Sequence, residues 1–318
     1  MSHAYHDAKL SILRDRSAML AAARIFFYDR GLIEVDCPLI TKEASVDAHI
    51  DLITTNHPNS KRYLHSSPEY GMKRLLVDGI GDIFQLAHVF RQEETGAKHN
   101  PEFMMAEWYR QGFSFEEMIE ETLDFMRVFL GDVSSSVLTY QEAFLRYSGI
   151  DPFKSNEKEL LALLRKQQLP LYETIENENK DNLLNFILAM MVEPHLGKDE
   201  LVALAYYPST QAALAKTRLR PEGLVAERFE VYYHGIELAN GYHELADSKE
   251  QRKRLAEANL ERLALGKETL PPDEEFLKAL ERGLPDACGV AVGVDRLMML
   301  RHNKSEISEI MPFGWHQA

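Results

Sequence analysis

The segment GVAVGVDRLMML, residues 289–300, constrains the fold more than any other part of the sequence. Gly289, Ala291 and Gly293 alternate with valines, and this period of two predicts a strand with one apolar face and one nearly bare face. Arg296 stands where the strand gives way to an apolar run that suits a helix. The valine face suits a core, and what the bare face accommodates is the main question that the sequence raises.

The other segments alternate between helices and short extended pieces. The sequence predicts helices over four ranges, about 9–30, 115–130, 248–264 and 273–282. Strands are expected at 81–94 and 103–113, and a hairpin at His234-Gly235 joins ERFEVYY to IELANGYHEL. Residues 154–200 are helix-rich and charged, which suggests an insertion. Antiparallel strands with helices between them, and no long linker, predict one α+β domain over residues 1–318.

Composition excludes several classes of protein. No apolar run approaches the roughly 18 residues that a transmembrane helix needs, so no membrane association is expected. Cys37 and Cys288 lie far apart and form no CxxC pair, which disfavours structural zinc and favours a reduced, cytoplasmic setting. The net charge of −14 argues against a chain whose main work is gripping a nucleic-acid backbone.

The segment FRQEETGAKHNPEF, residues 90–103, carries groups suited to a nucleotide. Arg91 and Glu93 share one face at the end of a strand, and an arginine fork suits phosphate oxygens. Phe103, one strand over, is placed to stack on a purine base. The alternative is an exposed hairpin held by surface ion pairs.

Two glutamates in GIELANGYHEL, Glu237 and Glu244, are candidates for binding Mg²⁺. Their odd offset of seven puts them on opposite faces of a regular strand. A bulge at Gly241 would bring them to one side, where two carboxylates and phosphate oxygens suit Mg²⁺. The alternative is one inward and one solvated glutamate.

Two further groups each allow two readings. Arg296 at a helix start favours an anion, or it is a surface arginine paired with Asp295. Glu69, Glu107 and Tyr109 favour a cationic guest, because buried carboxylates are costly until they are matched. Otherwise they are a core tyrosine and two surface glutamates.

The order of these segments resembles that of a known family. GLIEVDCPLI, FRQEE…HNPEF and GVAVGVDRLMML are similar to the three successive motifs of the class II aminoacyl-tRNA synthetases. SPEYGMKRLL, HNPEFMMAEWY, ERFEVYYHGIELANGYHEL and LPDACGVAVGVDRL resemble the lysyl branch, and the likeness runs from about residue 10 to 312. A class II catalytic core, usually a homodimer, is the fold that this resemblance implies.

A lysyl-tRNA synthetase carries an OB-fold anticodon-binding domain ahead of this core, whereas here the likeness begins almost at Met1. The chain therefore resembles the stand-alone paralogues that modify elongation factor P, and we expect no anticodon-binding domain. This resemblance implies an AMP-forming ligase that activates (R)-β-lysine or lysine with ATP and Mg²⁺. The aminoacyl-adenylate would then acylate a lysine ε-amine of elongation factor P, and tRNA would not be the acceptor.

The resemblance also assigns roles to matching residues. As catalytic residues, Arg91 would hold the α-phosphate and Arg296 the γ-phosphate, with Gly293 allowing close approach. The other residues of the ATP site would be Gln92, Glu93, His99, Asn100, Phe103, Glu237 and Leu238. The residues of the lysine site would be Ser67, Pro68, Glu69, Glu107, Tyr109, Asn240, Glu244 and Ala291. Glu237 and Glu244 would also be the ligands of Mg²⁺.

Three alternatives stay open. The first is a lysine-activating enzyme that charges tRNA, which the acidic balance disfavours. The second is an enzyme of the aspartate–ammonia ligase type, whose anionic substrate would need Arg or Lys where this chain has Glu107 and Tyr109. The third is a catalytically silent paralogue, which the presence of Arg91 and Arg296 disfavours.

Overall fold

A computed structural model describes residues 3–43, 45–57, 60–169, 171–172 and 174–318. The chain divides into two compact units, Met1–Asp132 with Glu244–Ala318, and Val133–His243. Within the described residues, no helix is long and apolar enough to cross a membrane.

Among its described residues, the first unit contains six α-helices and two sheets. Its helices are α1 (His3–Tyr28), α2 (Glu69–Val77), α3 (Phe115–Leu130), α7 (Ser248–Ala264), α8 (Glu274–Gly283) and α9 (Val294–Arg301). Its strands are β1 (Ile33–Glu34), β2 (Ile40–Thr41), β3 (Thr54–His57), β4 (Ser60–Leu64), β5 (Ile83–Phe90), β6 (Glu102–Gln111) and β12 (Ala287–Gly293). Within this unit the strands follow the order β1-β5-β6-β12 in one sheet and β2-β4-β3 in the other.

Where the structure describes it, the second unit contains three α-helices and five strands. Its elements are β7 (Ser135–Thr139), α4 (Tyr140–Tyr147), α5 (Glu157–Lys166), α6 (Lys180–Ile187), β8 (Leu201–Pro208), β9 (Thr217–Arg220), β10 (Gly223–Tyr233) and β11 (Ile236–His243). Its strands are ordered β11-β10-β8-β7, and β9 pairs with β10. Of the helices between β7 and β8, α5 and α6 lie in the segment 154–200, for which the sequence predicts an insertion, and α4 precedes that segment.

The predicted α+β class is confirmed, with one difference in strand direction. β5–β6, β6–β12 and β10–β11 are antiparallel as expected, but β1–β5 and β7–β8 are parallel. Parallel neighbours need a long crossover connection, and both pairs have helices between their strands. The predicted helix at 115–130 matches α3, which begins with a capping box between Ser114 and Glu117.

An aromatic cluster anchors the first unit behind its main sheet. Trp108 of β6 is fully buried, and its ring lies 5.1 Å from those of Phe27 in α1 and Phe125 in α3. Phe27 also stacks on Phe84 of β5 at 4.4 Å. Such ring pairs add about 0.5–1.5 kcal/mol each beyond the area that they bury. This packing fixes one face of β5 and β6 and leaves the other face for a site.

Candidate active site

The opposite face of β5, β6 and β12 is where the sequence-predicted site residues of the first unit meet. Glu107 is the register partner of Gln85 on one side and of Ala291 on the other. Gly289 lies opposite Tyr109 in the same register. Val290 and Val292 point the other way and are buried, with 2% and 0% exposure. The two-faced strand that the sequence predicts is therefore confirmed, and its bare face borders Glu107 and Tyr109.

Three carboxylates and one lysine form what we call the carboxylate cluster, Glu69, Glu107, Glu244 and Lys73. Lys73 Nζ lies 2.5 Å from Glu69 Oε1 and 2.5 Å from Glu244 Oε2. Ser67 joins Glu107 to the start of α2. Its hydroxyl donates to Glu107 Oε2 at 2.7 Å and accepts from the backbone N–H of Glu69 at 2.9 Å. Tyr109 also donates to Glu107 Oε1 at 2.7 Å. The structure thus brings together five residues assigned to the lysine site, namely Ser67, Glu69, Glu107, Tyr109 and Glu244.

Glu107 is the carboxyl whose charge is least compensated. It is 2% exposed, and burial together with the negative charge of Glu69 raises the pKa of Glu107 to about 8. The hydrogen bonds from Ser67 and Tyr109 oppose this shift without cancelling it. Burial, followed by the charge of Glu107, also raises the pKa of the Tyr109 phenol well above its ordinary value. A cation placed beside Glu107 would stabilise its ionised form.

Gly289 is the position on the bare face where space is tightest. A Cβ atom there would fall on the Tyr109 ring and on the Glu244 carboxylate. The absence of a side chain therefore lets β12 lie directly against the carboxylate cluster. Ala291, one pair further along β12, is partly exposed.

Arg91 and Phe103 lie together at the far end of the β5–β6 hairpin. The Arg91 guanidinium sits 5.1 Å from the centre of the Phe103 ring, and Arg91 Nη1 lies 3.5 Å from Glu94 Oε1. Gln92 and Glu93 follow in an exposed loop, with Glu93 at a φ of 65°. The arginine, the aromatic ring and the loop are thus adjacent, as an adenine nucleotide site requires, and the individual roles stay predictions.

Arg296 reaches the same loop from the start of α9. Its Nη2 donates to Nε2 of His99 at 2.7 Å. Partial burial and then the positive charge of Arg296 lower the pKa of His99, so a neutral imidazole accepts this hydrogen bond. Asn100 is buried, and its amide contacts the backbone, donating to Glu102 O and accepting from Trp315 N.

Asp295, the partner of Arg296 in the alternative reading, lies in the interior of the protein. Asp295 is 1% exposed and faces inward, where it pairs with Arg16 at 2.5 Å and accepts from the Met104 N–H at 2.7 Å. Its carboxylate fixes α9 to α1 and β6. The guanidinium of Arg296 is consequently directed to the loop that carries His99.

In the second unit, β11 carries three residues assigned by the sequence, Glu237, Leu238 and Asn240. The predicted bulge exists, but it lies at Leu238 and not at Gly241. Val231 pairs with Ala239 and the next residue of β10 pairs with Glu237, so Leu238 is the extra residue. The bulge puts Glu237 and Asn240 on one face despite their odd offset. Glu237 is exposed, and Asn240 Nδ2 donates to the Tyr242 hydroxyl at 3.0 Å.

Comparison with known proteins identifies the family. The family described as tRNA synthetases class II (D, K and N) matches residues 3–317. The chain belongs to this class II synthetase family.

Curated relatives cover it from end to end. A protein of Haemophilus influenzae (strain PittGG) named elongation factor P–(R)-β-lysine ligase is 42% identical over 325 residues, covering 100% of this chain and 99% of that protein. Proteins of the same name from Pasteurella multocida (strain Pm70) and Klebsiella pneumoniae (strain 342) are 42% and 44% identical, each over 98% of this chain and 97% of the relative.

The family resemblance drawn from the three ordered motifs is thus confirmed, and this class II synthetase is an ATP-dependent ligase.

Sequence reasoning missed two residues of the site. Lys73 stands inside the carboxylate cluster. Gln85 lies across from Glu107 and holds the backbone of Cys37, its side-chain oxygen accepting from Cys37 N and its side-chain nitrogen donating to Cys37 O. The i, i+4 spacing of Glu69 and Lys73 signals an ion pair, but not its burial.

Proposed function

We propose that this class II synthetase activates (R)-β-lysine or lysine with ATP and transfers it to a lysine ε-amine of elongation factor P. The observation that carries the proposal is the carboxylate cluster, which suits a small molecule with two ammonium groups. Full-length relatives named for this reaction support it. We also propose that the enzyme acts in the cytoplasm, where translation factors are found.

The cluster discriminates against an anionic amino acid. Glu107 and Glu244 are 2% and 1% exposed, so a bound aspartate side chain would place a further negative charge among buried carboxylates. Like charges in contact within a poorly solvated site repel strongly. The cluster therefore disfavours the aspartate–ammonia ligase alternative and favours a lysine isomer.

For the nucleotide, we keep Arg91 and Arg296 as the proposed phosphate-binding residues. The remaining proposed contacts of ATP are Gln92, Glu93, His99, Asn100, Phe103, Glu237, Leu238 and Gly293. Phe103 would stack on adenine, and the Arg91 guanidinium beside that ring, 5.1 Å from its centre, would reach the α-phosphate. Asn100 would act through the loop backbone that it holds.

Mg²⁺ is proposed to accompany ATP and would neutralise phosphate charge when bound. Glu237 and Glu244 are its proposed ligands, of which Glu237 is exposed and Glu244 already contacts Lys73. Among the described residues no group of three or more His, Cys, Asp or Glu is arranged to hold a metal. This is compatible with a Mg²⁺ bound mainly through phosphate oxygens and one or two carboxylates.

The proposed reaction is acyl transfer in two steps. A carboxylate oxygen of the lysine isomer attacks the α-phosphorus, the bond to the β-phosphate breaks, and pyrophosphate leaves. Arg91 and Arg296 stabilise the charge that develops on the phosphates. The acceptor ε-amine then attacks the adenylate carbonyl, an amide bond forms, AMP leaves, and the amine loses its proton. We assign no residue as the base for that proton.

A homodimer is also proposed. Large apolar side chains remain exposed at the end of α1 and along the following GLIEVDCPLI segment, namely Ile25, Tyr28, Ile33, Leu39 and Ile40. Exposed large apolar side chains that follow one another along neighbouring segments suit an interaction surface. A second copy of the chain is the proposed occupant, as the resemblance of this segment to the first class II motif implies.

The proposed activation step is tested by ATP–pyrophosphate exchange. We expect exchange to be supported best by (R)-β-lysine, more weakly by lysine, and not by aspartate. The physical reason is the match between two ammonium groups and the carboxylate cluster. Exchange with aspartate alone would overturn the proposal.

Ala291 is expected to tune the choice between lysine isomers. Its methyl group lies on the bare face of β12, directly across from Glu107. Ala291→Gly should lower the KM for lysine relative to that for (R)-β-lysine, by a factor of roughly ten that corresponds to one methyl group. Exchange kinetics with both isomers measure this ratio, with Ala143→Gly in α4 of the second unit as a control for a lost methyl group. An unchanged ratio would show that the methyl group has no part in specificity.

A further inference from the structure

Lys73 is a charged side chain with almost no contact with solvent. It extends from α2, is 1% exposed, and places Nζ between Glu69 and Glu244 at 2.5 Å from each. Tyr109 and Phe276 border the same ammonium group, each with its ring centre 6.0 Å from Nζ. Lys73 thus occupies the interior of the carboxylate cluster.

The charge of Lys73 is held in place by its surroundings. Burial alone would lower the pKa of Lys73, but the charges of Glu244 and Glu69 outweigh burial and raise it. The group is therefore a fixed cation at neutral pH. A fixed ammonium between two carboxylates sets the distance between them and prevents either from turning away.

Lys73 also fixes the charge that the cluster offers to a ligand. Glu69, Glu107 and Glu244 together carry three negative charges when all are ionised, and Lys73 neutralises one. Two negative charges remain. A lysine isomer has two ammonium groups, and its own carboxylate is consumed when the adenylate forms. The aminoacyl group of that adenylate would therefore balance the cluster.

We propose that Lys73 is a positioning residue for the amino acid, holding Glu69 and Glu244 in place and matching the charge of the cluster to a diammonium substrate. This inference rests on the proposed function, since it deepens the account of the same site. Lys73 acts through the two glutamates and does not touch the reacting atoms. If Lys73 had only a structural role, its loss would lower stability and raise the KM values for ATP and (R)-β-lysine alike. A positioning role predicts a rise in the KM for (R)-β-lysine alone.

The first test is the exchange reaction of Lys73→Met, which keeps the volume and removes the charge. We expect the KM for (R)-β-lysine to rise on the order of tenfold or more, while the KM for ATP changes less than about twofold. Lys278→Met, which removes an exposed lysine paired with Glu275 in α8, is the matched control and should change neither KM.

The second test removes the negative charge of Glu69 alone and then together with the positive charge of Lys73. It does not depend on the single variant Lys73→Met being well folded. Glu69→Gln leaves the cluster with one net negative charge, whereas Glu69→Gln with Lys73→Met restores two. We expect the double variant to have a lower KM for (R)-β-lysine than Glu69→Gln alone, by roughly threefold or more. Lys73→Arg, which keeps the charge, should keep the KM for (R)-β-lysine closer to the wild-type value than Lys73→Met does.

The outcomes are separable. Equal rises of the KM values for ATP and (R)-β-lysine in Lys73→Met would overturn the positioning role. A double variant that binds (R)-β-lysine more weakly than Glu69→Gln would overturn the charge match. Wild-type enzyme that shows no exchange with either lysine isomer would overturn the proposed function itself, and the role of Lys73 with it.

Discussion

Arg91→Ala should lower lysine-dependent ATP–pyrophosphate exchange on the order of a thousandfold while leaving the fold intact. Arg91 stands at the end of β5 beside the Phe103 ring, where its guanidinium would meet the α-phosphate. The α-phosphate is the group that is attacked and changes geometry. Its interaction with a charged donor is strongest in the transition state, and the variant loses that interaction. The loss should fall on kcat more than on the KM for lysine.

The control for this variant is an arginine of the same unit that faces solvent. Arg14 lies exposed on α1, and Arg14→Ala should leave exchange unchanged. Thermal unfolding of Arg14→Ala should stay within about 2 °C of wild type, as for most exposed substitutions, and half-buried Arg91→Ala should remain folded at the assay temperature. Exchange by Arg91→Ala within roughly tenfold of wild type would contradict the assignment of the nucleotide site.

Glu107→Gln should raise the KM for (R)-β-lysine on the order of a hundredfold, because the substrate loses a buried charge partner while the site keeps its shape. The pH dependence provides the sharper readout. Glu107 has a pKa of about 8, so in the free enzyme it is mainly protonated at neutral pH. Substrate binding requires its ionised form, so the wild-type KM should fall as pH rises toward about 8 and then level off. The variant should lack this slope.

Stability gives an independent check of the same group. The folded-state pKa of Glu107 lies above its ordinary value of 4.5, so the folded protein binds more protons than the unfolded chain between pH 4.5 and about 8. Its contribution to stability is therefore greatest below pH 4.5 and is lost as pH rises through about 8. Glu107→Gln should gain in melting temperature relative to wild type as pH increases across this window. A constant difference would show that the carboxyl is ionised throughout.

Local patterns in the sequence predicted those features that depend on neighbouring residues. The two faces of β12 follow from strict alternation, and Glu107 and Tyr109 share a face because they are two residues apart on a strand. The start of α9 beside Arg296 follows from the change of period. These features need no information about distant parts of the chain, which is why the structure agrees with them.

Features that depend on distant partners could not be derived in this way. In the sequence, Lys73 looks like a surface residue of a helix. Only its contact with Glu244, far along the chain, shows that it is buried. The bulge at Leu238 is set by the register between β10 and β11, and a glycine is only a weak guide to its position. The inward turn of Asp295 depends on Arg16 of α1. Three-dimensional proximity, which a single sequence does not encode locally, decides all three.

The most direct test of the proposed function follows the label from (R)-β-lysine to its acceptor. Labelled (R)-β-lysine, ATP and the enzyme are incubated with elongation factor P in one reaction and with tRNA in another. We predict that the label becomes covalently attached to elongation factor P with release of an equal amount of AMP, and that tRNA stays unlabelled. Substitution of the acceptor lysine of elongation factor P by arginine should abolish labelling. Label on tRNA and none on elongation factor P would contradict the proposed function.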